Sequence, residues 1–415
     1  MLRGHDIVCF ANDWQSDPTS KKHIMGRLAQ ENRVLWVNSI GCRTPQVSAR
    51  DLRRVLAKGR DFLRGLRQEG PNLWTLSPIA IPFHGLRAAQ RMNRFLLAAN
   101  IRLACRRLGM RDPITWTFVP SSAPVAGRLG ERLLVYQCVD EFAQFTGVDG
   151  EAMLALEADL AARADLVFVT AARLYDAKVG HNPNTYLVRH GVDVEHFRRA
   201  LAPDLPVADE LADAQHPVVG FFGLIADWVD VDLMAAIARA RPEWTLALVG
   251  PVETDVSALA ALPNVRLLGR RPYADLPRYC KAFDAALLPF RINELTLAAN
   301  PLKLREYLAA GLPVVSSALP EVEALAELVQ IARTPDEWLR QLDAILSHGS
   351  AGPQASRADS MRAESWDQKV EEMSTLVEAY LATDPRRGGE RRAGRRRREP
   401  VRRRTEFPAR EGLSP

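Results

Sequence analysis

One short segment of the sequence places a cation and a carboxylate together at the start of a predicted helix. Lys303 lies in the first turn after Pro301, and Glu306 follows three residues later, so both side chains share one helix face. The first turn of a helix has free N–H groups and partial positive charge, and an added lysine can complete a diphosphate site. A carboxylate one turn deeper can accept hydrogen bonds from a ribose diol. A solvated surface ion pair is the alternative, since this spacing commonly forms one.

Other candidates for the same site follow predicted strand ends or precede the helix. Gly223 ends the strand that opens the second half of the chain, where a glycine lets the backbone approach a phosphate closely. Arg270 follows a later strand, and Thr296 and Asn300 lie in the polar segment that leads into the helix. For each residue taken alone, a structural role in a turn remains open. The dinucleotide pattern Gly-x-Gly-x-x-Gly is absent here, which argues against NAD binding.

The first half of the chain offers a candidate general base. Asp140 directly follows the end of a predicted buried strand. Because ligands bind at the carboxyl ends of strands in open α/β sheets, Asp140 can take a proton from an attacking hydroxyl group. A helix N-cap is the alternative role. Asp13 and Trp14 follow the first strand and could contact a sugar through hydrogen bonding and stacking.

Apolar runs that alternate with helical patterns predict the elements that would position these residues. In the first half we predict strands at 7–10, 34–37, 114–118, 133–138, 166–170 and 185–188. In the second half we predict strands at 218–222, 245–249, 265–268, 285–288, 314–316 and 329–331. Each set predicts one doubly wound, Rossmann-like α/β domain, and the two domains would face a cleft.

The domain limits follow from composition. We predict a first, acceptor-side domain at 1–204 and a second, nucleotide-binding domain at 205–350, because the polar segment around residue 205 contains proline and lacks periodicity. Residues 351–382 are predicted to form a helix that crosses back to the first domain. Residues 383–415 form an Arg-rich tail that we expect to be disordered.

Two basic regions stand out. The insertion 43–111 holds fifteen Lys and Arg against three acids. Basic and apolar residues alternate over 52–67 and 91–107. This pattern predicts helices that bind an anionic membrane surface or, alternatively, helices whose long basic side chains cover a hydrophobic core.

The Arg-rich tail accounts for the net positive charge. Removing its twelve Arg and four Glu from the net charge of +5 leaves residues 1–385 with a net charge of −3. The tail could contact anionic lipid or nucleic acid, or serve as a solubilising extension; nucleic acid is the partner we expect least.

Composition indicates a soluble globular protein, since 47% of the 415 residues are hydrophobic and 25% are charged. The cysteines lack Cys-x-x-Cys spacing, which argues against a zinc site or disulfide framework: Cys9, Cys42, Cys105, Cys138 and Cys280. We find no signal sequence and no apolar stretch long enough to span a membrane. We therefore expect a cytoplasmic protein with peripheral contact at the inner face of the plasma membrane.

Residues 296–317, with their continuation Ala-Gly-Leu-Pro-Val-Val-Ser, resemble the donor-site segment of GT-B glycosyltransferases. These enzymes have two Rossmann-like domains and use nucleotide-sugar donors, and the resemblance implies that Glu306 holds the nucleotide ribose. Many retaining members carry a second Glu eight residues earlier, where this chain has Ala298. Residues 188–197 resemble the "pNGVD…F" element that closes the first domain of such enzymes, and we predict that Gly191 supplies a turn with positive φ.

Most of the chain, from about residue 5 to residue 380, resembles bacterial exopolysaccharide and cell-wall polymer enzymes. Among them are family-4-like teichuronic-acid glycosyltransferases and the xanthan-pathway glucuronosyltransferase. Tyr136 and Asp140 match a Tyr-x-x-x-Asp strand end of the latter enzyme, which implies that Asp140 is the base. Residues 302–307 match its Met-Lys-Leu-Leu-x-Tyr helix, which implies that Lys303 binds the nucleotide diphosphate.

The resemblance implies a glycosyltransferase that moves a sugar from a nucleotide-sugar donor, expected to be UDP-linked, to a lipid-linked or polysaccharide acceptor in cell-surface polysaccharide synthesis. We expect no cofactor and no metal, because the Asp-x-Asp pair at 230–232 is predicted to start a helix rather than to line a metal-binding loop. Two alternatives remain open: a nucleotide-sugar epimerase of the same fold, and a non-catalytic module that binds sugar nucleotides.

Overall fold

The structure is a computed structural model that describes residues 1–38, 65–78, 87–347 and 351–383. Its strands form two separate sheets, one of eight strands and one of six. The predicted domain boundary at residues 204 and 205 lies between the last strand of the first sheet and the first strand of the second. The Arg-rich tail from residue 384 onward, and Cys42, lie outside the described residues.

The first sheet has the order β3-β4-β2-β1-β5-β6-β7-β8. Its strands are β1 (Asp6–Phe10), β2 (Arg33–Val37), β3 (Leu66–Gly70), β4 (Leu73–Leu76), β5 (Ile114–Thr117), β6 (Leu133–Cys138), β7 (Leu166–Val169) and β8 (Thr185–Leu187). All neighbouring strands in this order are parallel except β3 and β4, which are antiparallel. The strand order reverses between β1 and β5, and loops that follow these strands therefore open onto a crevice.

Among the described residues, five α-helices belong to this half: α1 (Ser20–Leu28), α2 (Arg87–Arg107), α3 (Gly150–Arg163), α4 (Ala172–Val179) and α5 (Val194–Arg198). Asp149 caps α3, because its side chain accepts a hydrogen bond from the Ala152 N–H at 3.1 Å. The central strands β2, β1, β5, β6 and β7 are buried almost throughout, which is typical of a parallel sheet with helices on both faces, whereas the edge strands β3 and β8 are partly exposed.

The second sheet is parallel throughout, with the order β11-β10-β9-β12-β13-β14. Its strands are β9 (Val218–Phe222), β10 (Thr245–Val249), β11 (Val265–Gly269), β12 (Ala285–Leu288), β13 (Val314–Ser317) and β14 (Gln330–Ala332). Counted from β9, this is the Rossmann order 3-2-1-4-5-6, and the order reverses between β9 and β12. Both halves therefore adopt the predicted α/β, doubly wound, Rossmann-like architecture.

The helices of the second half are α6 (Val231–Ala240), α7 (Ser257–Ala260), α8 (Leu276–Ala282), α9 (Glu294–Leu297), α10 (Leu302–Ala309), α11 (Pro320–Glu323), α12 (Pro335–Ser347), α13 (Ala355–Asp359) and α14 (Trp366–Thr383). The last of these, α14, packs on the first domain. Its buried residues Val370 and Met373 share a core with Ile24 and Met25 of α1.

The twelve predicted strands match observed strands to within one residue at either end. The prediction of a basic helix over 52–67 is wrong where it can be compared, because Leu66 and Arg67 lie in β3, an antiparallel edge strand. The rest of that stretch, through residue 64, lies outside the described residues. The second basic stretch does form a helix, α2, whose residues Leu97 and Ile101 are buried against the sheet.

Candidate functional site

The cation and carboxylate singled out by the sequence meet at the start of α10. Lys303 Nζ donates a hydrogen bond to Glu306 Oε2 at 2.8 Å. The Glu306 side chain is 7% exposed, whereas the Lys303 side chain is 27% exposed and can move toward solvent. Lys303 Nζ also lies 5.1 Å from the centre of the Phe222 ring, at the end of β9. The pair therefore lies at the reversal point of the second sheet, where α/β proteins of this topology bind ligands.

Two glycines with positive φ allow close backbone packing at this point. Gly223 has φ of +145°, and a Cβ added to it would lie 3.3 Å from Lys303 Cε. Gly250, at the end of β10, has φ of +152°, and its Cβ would lie 1.8 Å from the Gly223 carbonyl oxygen. A side chain at either position would displace the backbone that lines the site.

Arg270 lies in the loop after β11 and reaches across to the first domain. Its Nη2 donates to Asp17 Oδ1 at 2.7 Å, and both side chains are exposed. Asp17 lies just before α1. This exposed ion pair joins the two domains, and a ligand that carries negative charge could compete with Asp17 for the guanidinium group.

Thr296 and Asn300 are both buried, and internal partners occupy their polar atoms. Thr296 Oγ1 donates to the Arg291 carbonyl at 2.5 Å and accepts from the Asn293 N–H at 3.0 Å, which closes the turn that starts α9. Asn300 Nδ2 donates to the Thr170 carbonyl of the first domain at 2.7 Å. The predicted contact of Thr296 and Asn300 with a bound nucleotide therefore remains a prediction, and the observed hydrogen bonds do not support it.

The candidate base, Asp140, lies two residues after the carboxyl end of β6 and is half-buried. Burial raises the pKa of its carboxyl group to about 6, and the positive charge of Lys21 on α1 partly opposes this rise. A carboxyl group with a pKa near neutrality is suited to general base catalysis, since it is ionised at working pH and still basic enough to accept a proton.

A buried ion-pair cluster supports the end of β6 below Asp140. Glu157 of α3 accepts hydrogen bonds from Tyr136 Oη at 2.5 Å and from Lys178 Nζ at 2.8 Å. Cys138 Sγ also donates to Glu157, at 3.3 Å, and Lys178 Nζ lies 3.7 Å from Glu141. Because unpaired buried charges are costly, these partners hold one another in place and fix the strand end. Sequence reasoning missed this cluster, whose members lie on three separate elements.

Comparisons with known proteins identify the family. A family model described as "Glycosyl transferases group 1" matches residues 216–348. The putative teichuronic acid biosynthesis glycosyltransferase TuaH of Bacillus subtilis (strain 168) is 30% identical over 347 residues, which cover 77% of this chain and 82% of TuaH. The protein belongs to the bacterial GT-B glycosyltransferases of this family. Its membership does not favour the epimerase or the non-catalytic module.

Solved structures of low sequence identity share the fold of this glycosyltransferase. Sucrose-phosphate synthase from Thermosynechococcus elongatus has a TM-score of 0.66 at 16% identity and covers 92% of this chain and 100% of its own. HepE of Anabaena, in complex with UDP and glucose, has a TM-score of 0.62 at 16% identity and covers 91% of this chain and 100% of its own. These likenesses agree with the two-domain GT-B architecture.

Asp13 and Trp14, which were predicted to contact a sugar, lie in the loop after β1. The Trp14 N–H donates to Asn38 Oδ1 at 2.9 Å, and its ring meets the buried Trp36 edge-on at 5.0 Å. Lys22 Nζ lies 4.8 Å from the Trp14 ring centre. Asp13 is exposed beside it. The loop therefore has an ordered aromatic side chain next to a carboxylate, a combination that can bind a sugar.

The start of α14 and the segment after β11 bring further residues together between the domains. His23 of α1 stacks on Trp366 at 5.5 Å and lies 5.7 Å from Tyr273 of the second domain. Burial lowers the pKa of His23 to about 4, so the ring is neutral at pH 7.

The prediction that Gly191 supplies a turn with positive φ is wrong, because its φ is not positive. Glycine is required there for a different reason: a Cβ would lie 2.9 Å from the Trp366 backbone.

Within residues 1–38, 65–78, 87–347 and 351–383, no group of three or more His, Cys, Asp or Glu side chains is arranged to hold a metal ion. In the same part of the glycosyltransferase, no helix is long and apolar enough to cross a membrane. The four described cysteines, Cys9, Cys105, Cys138 and Cys280, are buried free thiols.

Proposed function

We propose that this glycosyltransferase moves a sugar from a UDP-sugar to a lipid-linked or polysaccharide acceptor in bacterial cell-surface polysaccharide synthesis. The Lys303–Glu306 pair, at the start of α10 and at the reversal point of the second sheet, is the observation that carries the donor assignment. The UDP and glucose bound to HepE support a nucleotide-sugar donor, and the teichuronic acid role in the name of TuaH supports a polysaccharide product.

In this proposal the donor rearranges the ion pair at α10. The diphosphate accepts hydrogen bonds from Lys303 Nζ and from the first N–H groups of α10, while Glu306 turns to the ribose hydroxyls. The ammonium group then balances the negative charge that grows on the phosphate as the bond to the sugar breaks. Gly223 gives the diphosphate access to the backbone, and Arg270 exchanges Asp17 for the donor.

Asp140 acts on the acceptor. The acceptor hydroxyl oxygen attacks the anomeric carbon, its proton passes to the Asp140 carboxylate, and UDP leaves from the sugar. Asp13 and Trp14 would hold the acceptor from the loop after β1. We expect the step to need no divalent metal, because Lys303 and the helix N-terminus supply positive charge to the leaving group. Removal of metal ions with EDTA should therefore leave turnover unchanged.

An exposed face of α2 supports peripheral contact with the inner, cytoplasmic face of the membrane, where a lipid-linked acceptor would be reached. Phe95 is 69% exposed and Leu103 is 47% exposed, although both are apolar. Arg102 and Arg106 are exposed on the same side of the helix. Apolar side chains flanked by arginines are typical of helices that bind anionic membrane surfaces.

The test is UDP release from a panel of UDP-sugars, with and without a bacterial membrane lipid extract. Release that depends on the extract, together with sugar incorporated into lipid or polymer, supports the proposal. Conversion of the sugar without the extract would instead indicate an epimerase. Tight UDP binding without turnover under any condition would indicate a non-catalytic module.

A further inference from the structure

A continuous path of buried hydrogen bonds joins the candidate base to the candidate donor helix. The carbonyl of Val139, the residue before Asp140, accepts from Thr170 Oγ1 at 3.1 Å. The Thr170 carbonyl accepts from Asn300 Nδ2 at 2.7 Å, and this bond crosses from one domain to the other. Asn300 Oδ1 in turn accepts from Nη1 of Arg305, a residue of α10, at 2.6 Å. Thr170, Asn300 and Arg305 are all buried.

A buried carboxylate strengthens the same connection. Glu321, at the start of α11, accepts from Asn300 Nδ2 at 3.2 Å and from Arg189 Nε of the first domain at 2.6 Å. Its other oxygen accepts from the Ala172 N–H, at the start of α4, at 2.8 Å. Because a buried carboxylate without partners is costly, Glu321 favours the arrangement of the domains in which these first-domain donors reach it.

We propose that Asn300, together with Thr170 and Glu321, is a positioning residue that sets the distance between the base and the donor diphosphate. Asn300 lies three residues before Lys303, so its bond to Thr170 ties the first turn of α10 to the strand end that carries Asp140. This inference rests on the proposed function. Transfer between two bound substrates depends steeply on their separation, and a displacement of about 1 Å can cost roughly a hundredfold in rate.

The exposed contacts between the domains cannot do this equally well. Arg173 with Glu294, Thr146 with Asp227, and Arg270 with Asp17 also join the two domains. These side chains lie at the surface, where solvent screens ion pairs and long side chains lose entropy on pairing. The Asn300 path is shielded from water and is attached directly to both candidate catalytic elements.

The test compares Asn300→Ala with a matched control, Asn182→Ala. Asn182 is also buried and donates from Nδ2 to the carbonyls of Ala161 and Ala164, at 2.8 and 2.7 Å, but within the first domain. Both variants lose comparable hydrogen bonds. We expect Asn300→Ala to lower kcat about 10- to 100-fold, to change the Kd for UDP less than about twofold, and to raise the fraction of donor hydrolysed by water. The control should leave kcat and hydrolysis unchanged.

Thr170→Val provides a second test if Asn300→Ala folds poorly. It removes the hydroxyl group that bonds the Val139 carbonyl while keeping the side-chain volume, and Thr170→Ser should restore activity. Thr185→Val is its control, since Thr185 Oγ1 donates to the Asn182 carbonyl at 2.6 Å inside the first domain. Thr170→Val should lower kcat, whereas Thr185→Val should not.

Three outcomes overturn the inference. One is a folded Asn300→Ala and a folded Thr170→Val that both retain the parent kcat and hydrolysis fraction. Another is a loss of UDP affinity in Asn300→Ala equal to its loss of kcat/KM, which would make Asn300 a donor contact. A parent protein that transfers no sugar under any condition would refute the proposed function and this inference together, whereas the first two outcomes leave the proposed function standing.

Discussion

The donor half and the acceptor half of the cleft are built in different ways. In the proposed donor half Lys303 and Glu306 lie in the first two turns of α10 and pair at 2.8 Å, and Gly223 directly follows β9. In the acceptor half Asp140 also ends a strand, but Asp13 and Trp14 lie on a loop. A rigid site suits a nucleotide, whose phosphates and ribose have fixed geometry, while loops can be reshaped for different acceptors without disturbing the sheet.

The two carboxylates of the cleft show the same contrast. Glu306 accepts a hydrogen bond from Lys303 Nζ at 2.8 Å, a charge-assisted contact of the kind that binds and orients polar ligand groups. Asp140 is half-buried, and desolvation raises its pKa to about 6, with the Lys21 charge partly opposing this rise. In the proposed mechanism, the donor half therefore holds charge in place, and the acceptor half supplies a group that exchanges a proton.

Replacing Asp140 should have the largest effect on catalysis and no effect on donor binding, which would distinguish the acceptor half from the donor half. We expect Asp140→Asn to lower kcat about 10²- to 10⁴-fold, the range typical of a lost general base, and to leave UDP affinity unchanged. Steady-state kinetics and calorimetry measure the two effects. Asp159→Asn, which alters an exposed ion pair with Arg163, is the control. Full transfer activity in folded Asp140→Asn would remove this residue from the mechanism.

The same variant tests the raised pKa of Asp140 through stability. A carboxyl group with a folded-state pKa of about 6 contributes stability below its ordinary pKa of about 4, and that stability is lost as the pH rises through 6. Asp140→Asn should therefore be more stable than the parent at pH 8, by up to about 3 kcal/mol, with a smaller difference at pH 4. Denaturant unfolding at both pH values decides this, and the opposite trend would contradict a buried, costly charge.

Gly223→Ala should weaken binding of the donor substrate by distorting the donor half alone. The added Cβ lies 3.3 Å from Lys303 Cε at a φ of +145°, so the turn and the lysine must shift. We expect a donor KM about tenfold higher and a loss of roughly 1–3 kcal/mol in the free energy of unfolding. Gly130→Ala is the control, because Gly130 has φ of +83° with nothing within 4 Å of its Cβ. Equal donor KM values in the two variants would show that Gly223 does not line the site.

Lys21→Met should produce the smallest effect, a shift in the pH profile. Since the Lys21 charge lowers the pKa of Asp140, its removal should raise that pKa and move the acidic limb of kcat/KM upward by about 0.5 pH unit. Lys22→Met, on the same helical turn, should leave the apparent pKa of this acidic limb unchanged, whatever its effect on KM. A limb that stays fixed in Lys21→Met would mean that another group controls the profile.

Much of the fold is legible in the sequence because buried parallel strands are continuous apolar runs. Two strands of the first sheet escaped prediction. The residues of the edge strand β3, Leu66–Gly70, are mostly polar and partly exposed. The strand β4, Leu73–Leu76, is apolar and largely buried, but it has only four residues and lies inside the stretch that we interpreted as a basic insertion. Lys303 and Glu306 could be found because they are three residues apart on one helix. The bond from Asn300 to Thr170 joins residues 130 positions apart. Gly191 packs against the Trp366 backbone although the whole second sheet lies between them in the sequence. Periodicity and short motifs cannot predict contacts between such distant residues.

The most direct test of the account is nucleotide binding by Lys303→Ala and Glu306→Ala, measured by calorimetry with UDP and the other nucleoside diphosphates. Arg333→Ala, which breaks an exposed ion pair with Glu323 in the same domain, is the control. We predict that each site variant, while folded, binds UDP about 10- to 100-fold more weakly than the parent, as expected for a lost charge-assisted hydrogen bond. Unchanged affinity for every nucleoside diphosphate that the parent binds would contradict the assignment of the donor site to α10.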